Sequence, residues 1–154
     1  MNELQNKAFE LTITRIFDAP RERVWQAWTD KEQVIEWLSP KGFYVKEHKG
    51  KIAEGEHYRE RMISPAGNDS VFFGEYLELS PPEKLVFTHI WENDECGIPE
   101  VRTVCTVLLE TMSDGKTKMI FTQTGLSSEE SRDSHESGWS ECFDKLSTFL
   151  KEIK

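Results

Sequence analysis

Apolar and polar residues alternate through Phe9-Glu10-Leu11-Thr12-Ile13-Thr14-Arg15-Ile16-Phe17, with Phe9, Leu11 and Ile13 set against Glu10, Thr12 and Thr14. That period of two predicts a strand with one buried face, ending near Asp18. The period then lengthens. Pro20 suits the first turn of a helix, where a missing N–H costs nothing, and Val24, Trp25 and Trp28 follow at helical spacing. Asp30-Lys31-Glu32-Gln33 has the form of a capping box ahead of Val34, Ile35, Trp37 and Leu38, which predicts a second short helix. Ser39-Pro40-Lys41-Gly42 stops it.

Beyond this point Gly50, Gly55, Pro65-Ala66-Gly67-Asn68-Asp69, Pro81-Pro82, Gly97-Ile98-Pro99 and Asp114-Gly115 cut the chain into short segments rich in β-branched and aromatic residues. They predict about six strands, near 43–49, 55–64, 70–79, 84–92, 101–112 and 116–126, and connections this short favour antiparallel neighbours. Ser127-Ser128-Glu129-Glu130 reads as a second capping box. Behind it His135, Trp139, Cys142, Phe143, Leu146, Phe149, Leu150 and Ile153 fall three or four apart, the stripe of one long amphipathic helix. Glu136, Asp144, Lys145, Lys151 and Glu152 form its solvated face. The expected class is α+β: one domain over 1–154, with its core at about 9–152, in which a curved antiparallel sheet of about seven strands lies around the C-terminal helix. The gap left at one end, roofed by the two short helices, becomes a cavity.

The chain has 154 residues, 19 basic against 28 acidic, a formal net charge of −9. Such a balance repels phosphate backbones and anionic lipid headgroups, and no basic patch offsets it, so nucleic acid and membrane surfaces are not expected partners. No apolar run approaches the roughly 20 residues of a membrane span, and Met1-Asn2-Glu3-Leu4-Gln5-Asn6-Lys7 lacks the blocks of a signal peptide, which predicts a cytoplasmic protein. Cys96, Cys105 and Cys142 form no C-x-x-C pair, and His48, His57, His89 and His135 fall at no metal-ligand spacing. Neither a metal nor another cofactor is therefore expected. Cys105 and Cys142 read as small buried hydrophobes. A nucleophile elbow and a Gly-rich phosphate loop are both missing.

Strand parity sorts the candidate wall of the cavity. Phe43 and Val45, then Tyr58, Glu60 and Met62, then Leu85, Phe87, His89 and Trp91, then Met119, Phe121 and Gln123 share the apolar parity of their strands. The strand at 70–79 is ambiguous, since Phe72 and Tyr76 compete with Phe73, Leu77 and Leu79. Glu60 stands out because a carboxylate in an apolar wall is penalised unless paired, hydrated or protonated. Reversing the parity would turn His57, Arg59 and Arg61 inward and make Glu60 an ordinary surface charge. His89 lies one strand removed, at about 10 Å, a separation suited to two ends of a ligand and too long for direct proton transfer. The candidate ligand-binding set is Trp28, Trp37, Phe43, Tyr58, Glu60, Met62, Phe87, His89, Trp91, Gln123, His135 and Trp139.

The strings Ala19-Pro20 through Val24-Trp25, Trp37-Leu38-Ser39-Pro40, Gly42-Phe43, Gly74-Glu75-Tyr76-Leu77-Glu78, Pro81-Pro82-Glu83-Lys84-Leu85-Val86-Phe87-Thr88 and Gly138-Trp139 carry a resemblance that covers nearly the whole chain. Together with the element order, they resemble the helix-grip superfamily of START domains and Bet v 1 allergens (SRPBCC). More narrowly, the chain is similar to the single-domain bacterial proteins related to the C-terminal domain of the activator of Hsp90 ATPase, the AHSA1-like family. The resemblance implies a fold and a pocket, and no shared catalytic set. Three functions follow in order of expectation. The first is binding of a hydrophobic or aromatic small molecule, oriented by Glu60, His89 and Gln123. The second is a chaperone-associated role with an Hsp90-like partner. The third is a small cyclase or hydrolase using Glu60 and His89. Monomer and homodimer are both compatible with this reading.

Overall fold

The computed structural model describes residues 9–92 and 102–152. The segment 1–7, the turn at Gly97-Ile98-Pro99, Cys96, the strand start at 101 and Ile153 lie outside them. Within the described residues the order is β1 (Phe9–Phe17), α1 (Arg21–Thr29), α2 (Lys31–Trp37), β2 (Tyr44–Gly50), β3 (His57–Ile63), β4 (Asp69–Ser80), β5 (Lys84–Trp91), β6 (Thr103–Thr111), β7 (Thr117–Leu126) and α3 (Glu129–Glu152). The strands form one curved antiparallel sheet in the order β1-β7-β6-β5-β4-β3-β2, so the first strand returns beside the last. Ile13 opposes Phe121 there, joining the apolar rows of two strands distant in sequence.

The core fills the space between the inner sheet face and the helices. Val107, Met119 and Phe121 meet Phe143 and Leu146 of α3, all fully buried. Trp28 and Trp37 lie edge to face at 4.7 Å, and the Trp37 indole N–H donates to the Ala27 carbonyl at 2.9 Å. Buried aromatic pairs of this kind combine large area with preferred geometry, which makes them the anchors of the α1–α2 corner. Asp30 works on both sides of that corner. Its N–H donates to Gln26 O to close α1, and its carboxylate accepts from Glu32 N at 3.1 Å to open α2.

Two local expectations are corrected. The start of α3 is capped by Ser128, whose Oγ accepts from Ser131 N at 3.0 Å, rather than by a Ser127–Glu130 box. Lys145, assigned to the solvated face, reaches across to Ser39 Oγ at 2.9 Å and Phe43 O at 2.8 Å, tying α3 to the α2–β2 loop. A long aliphatic stem lets its charge travel from a polar face to buried acceptors.

Gly74 permits a close approach that positions the site. A Cβ there would fall 2.1 Å from the Thr88 carbonyl oxygen. Tyr58 pairs with Gly74 across β3 and β4, and its hydroxyl donates to that same Thr88 oxygen at 2.6 Å.

Candidate functional site

A cavity of about 390 Å³ opens between α3 and the inner face of β3 to β5. Met62, Phe72, His89 and Trp91 contribute from the sheet, Ser134, His135, Gly138 and Trp139 from α3, and Leu38 with Pro40 from the loop after α2. The size lies within the roughly 300–1,000 Å³ usual for small-molecule sites. The first turns of α3, which carry the candidates His135 and Trp139, supply one wall, with Gly138 at its open surface. A Cβ at Gly138 would meet nothing within 4 Å.

The indole N–H groups of the lining and both nitrogens of His135 are already occupied. Trp91 Nε1–H donates to His135 Nε2 at 3.0 Å, and His135 Nδ1 lies 2.8 Å from Ser131 O. A carbonyl only accepts, so His135 carries its proton on Nδ1 and both nitrogens are used. Trp139 Nε1–H donates to Gln123 Oε1 at 2.9 Å, Gln123 Nε2 to Thr103 Oγ1 at 3.0 Å, and Thr103 Oγ1–H to His89 O at 2.7 Å. The two indoles therefore offer the cavity their faces and edges.

His89 differs. It is 3% exposed, stacks on Phe72 with ring centroids 4.2 Å apart, and stands edge-on to Trp91 and Trp139. Its Nδ1 is buried with no hydrogen-bond partner. Burial, reinforced by nearby His135, pushes its pKa down to about 3, so the ring is neutral.

Glu60 faces inward and is fully buried, as the parity of β3 predicts. It does not line the cavity. Its Oε1 lies 3.1 Å from Nδ1 of His48, and His48 Nε2 lies 3.4 Å from the Tyr76 hydroxyl. Burial raises the Glu60 pKa well above the ordinary carboxyl range and pushes His48 down to about 4. Burial thus favours the neutral form of both groups, an arrangement in which the carboxylic acid donates to Nδ1 and Nε2–H faces the Tyr76 hydroxyl. Oε2 of Glu60 is left without a partner. His48 is the residue that sequence parity missed. Val45 shares the inward face with Met62, which would turn His48 outward, but the register shifts between Val45 and Glu47 and brings His48 opposite Glu60. A bulge inserts one residue and reverses the parity beyond it.

The twelve candidate residues divide accordingly. Met62, His89, Trp91, His135 and Trp139 line the cavity. Trp28, Tyr58 and Phe87 surround a separate hollow of about 10 Å³, scarcely the room of one water. Trp37 is packed in the core, Phe43 is half-buried against it, Glu60 is held by His48, and Gln123 is spent between Trp139 and Thr103. Neither Glu60 nor Gln123 is therefore an anchor facing the cavity, and Glu60 with His89 forms no acid–base pair across it. In β4, Phe72 and Tyr76 turn inward, Leu77 is exposed, and a register shift between Tyr76 and Glu78 lets Leu79 pack back on the core, so both parities are used in turn. Leu38, Pro40 and Cys142 line the cavity without a signal in strand alternation, because they come from a loop and a helix.

With this geometry in hand, the chain can be placed among known proteins. The family described as Activator of Hsp90 ATPase homolog 1-like protein matches residues 18–151. The chain belongs to that family. Among solved structures, a protein from Chromobacterium violaceum is 28% identical with a TM-score of 0.81, over 94% of this chain and 98% of the other. A protein from Arthrobacter aurescens is 26% identical with a TM-score of 0.77, over 94% and 87%. The AHSA1 protein from Silicibacter pomeroyi, 21% identical, shares the fold with a TM-score of 0.83 over 93% and 98%. Comparison with curated proteins returns no match. Among the described residues of this AHSA1-like protein, no helix is long and apolar enough to cross a membrane.

Proposed function

We propose that this AHSA1-like chain is a binding module whose cavity takes a hydrophobic or aromatic small molecule. The observation that carries the reading is the cavity of about 390 Å³ walled by Phe72, Trp91 and Trp139, with both indole N–H groups already bonded to protein. Affinity then comes from apolar area removed from water, about 25 cal/mol per Å² before the costs of association.

Gly138 supplies the test. A side chain there enters open space on the cavity wall, so Gly138→Phe fills the cavity without disturbing the core, and loss of Gly from a helix interior favours folding. Calorimetric titration with 2-methoxynaphthalene is expected to show binding to the wild type and none to Gly138→Phe, with the variant at least as stable. Equal binding by both would refute the cavity as the site.

A chaperone-associated role is the second reading, favoured by the family match over residues 18–151. Pull-down with a bacterial Hsp90 homologue tests it. Retention that survives Gly138→Phe would assign that role to the outer surface, and no retention rejects it.

A further inference from the structure

The cavity's lining points to what kind of aromatic molecule it accepts. Among the described residues that line it there is no lysine or arginine. Burial keeps both histidines of the lining neutral and Cys142 a thiol. Glu141 is an acid, and its Oε1 accepts from Lys41 N at 3.1 Å. The amine of Lys145, on the neighbouring turn of α3, is spent on Ser39 and Phe43 and does not reach the lining. A carboxylate or phosphate ligand would therefore lose its water and gain no positive partner, which is strongly unfavourable.

What the lining does offer, beside the Ser134 and Ser137 hydroxyls, is an unpartnered imidazole nitrogen. His89 Nδ1 is buried, unpartnered and set among aromatic rings, with Phe72 stacked on the imidazole face at 4.2 Å. An unsatisfied buried nitrogen in a native structure calls for a partner, and with the ring proton on Nε2 the Nδ1 atom takes a hydrogen bond from a hydroxyl. Resting on the cavity reading above, we infer that the ligand class is a neutral planar aromatic bearing a hydroxyl group, a phenol or enol, whose O–H donates to His89 Nδ1 while its ring lies against Phe72, Trp91 and Trp139.

Three probes of one ring system separate the possibilities: 2-naphthol, its methyl ether 2-methoxynaphthalene, and 2-naphthoate, each titrated calorimetrically at neutral pH into the wild type and His89→Phe. In the wild type, 2-naphthol is expected to bind about 5-fold to 160-fold more tightly than the ether, the range set by leaving one buried polar group unsatisfied, and 2-naphthoate more weakly than either. In His89→Phe the naphthol should lose its advantage and bind no more tightly than the ether, because its hydroxyl is then buried without an acceptor. Should His89→Phe fail to fold, the ¹⁵N resonance of Nδ1 in the wild type serves instead. It should shift on adding 2-naphthol and stay still with the ether. Naphthol and ether binding the wild type equally, naphthoate binding tightest, or an unmoved Nδ1 resonance would each overturn the assignment of the hydroxyl while leaving the cavity a binding site. Failure of all three probes to bind would instead overturn the cavity reading and this inference with it.

Discussion

Replacing Glu60 by Gln keeps the length and shape of the side chain, and its amide can still donate to His48 Nδ1, but the residue can no longer ionise. In the wild type the unfolded chain releases the Glu60 proton near the ordinary value of 4.5, whereas the buried carboxyl holds it to much higher pH. The native state therefore carries one more proton than the unfolded state above pH 4.5, and stability declines as pH rises through that window. For a carboxyl that is still protonated in the folded chain at pH 7, the interval from 4.5 corresponds to about 3.4 kcal/mol, at about 1.36 kcal/mol per pH unit. That is a large part of the roughly 5–15 kcal/mol by which a domain is stable. Glu60→Gln removes the loss. Urea denaturation of both proteins from pH 4 to pH 8 should give similar free energies at pH 4 and a growing advantage for the variant, reaching about 3 kcal/mol at pH 7, with unchanged m-values. A difference that is flat with pH, or that turns against the variant as pH rises, would mean that Glu60 is a carboxylate paired with protonated His48, and the neutral pair would be wrong.

Folded His89 stays neutral down to about pH 3 against an ordinary 6.5, so the unfolded chain gains a proton first as pH falls below 6.5. Stability should drop by about 1.4 kcal/mol per pH unit there, and His89→Phe should remove that slope in urea titrations compared at pH 6.5 and pH 4.5; an unchanged slope refutes it. Gly74→Ala forces a methyl to 2.1 Å from the Thr88 carbonyl oxygen. It is expected to cost about 3 kcal/mol or more and to lower the thermal midpoint, and a near-normal midpoint would show that β4 and β5 separate easily. Lys145→Met removes the donations to Ser39 Oγ and Phe43 O. The urea midpoint should fall by the equivalent of about 1–3 kcal/mol, and no fall would mean that water satisfies those acceptors equally well.

The strands, the two short helices and the long one were legible because each presents one apolar face to a common core, and a period of two or of 3.6 records that face directly. Inward Glu60, Met62, His89 and Trp91 were read in the same way. His48 was not, because the register shift between Val45 and Glu47 leaves no mark in the alternation. Nor were Gln123 and His135 recognisable as already bonded, since their partners Thr103, Trp139, Trp91 and Ser131 are set by how α3 lies on the sheet.

Taken by itself, the order of residues determined the elements, their buried faces and the family resemblance, all properties that depend on local spacing along the chain. Tertiary structure alone decided which polar groups meet. The pairing of Glu60 with His48, the isolation of His89 Nδ1 and the open wall at Gly138 depend on a register shift and on how α3 lies over the sheet. Hydrogen bonds form or fail over a few tenths of an ångström. Periodicity specifies direction to a face, and no more finely than that.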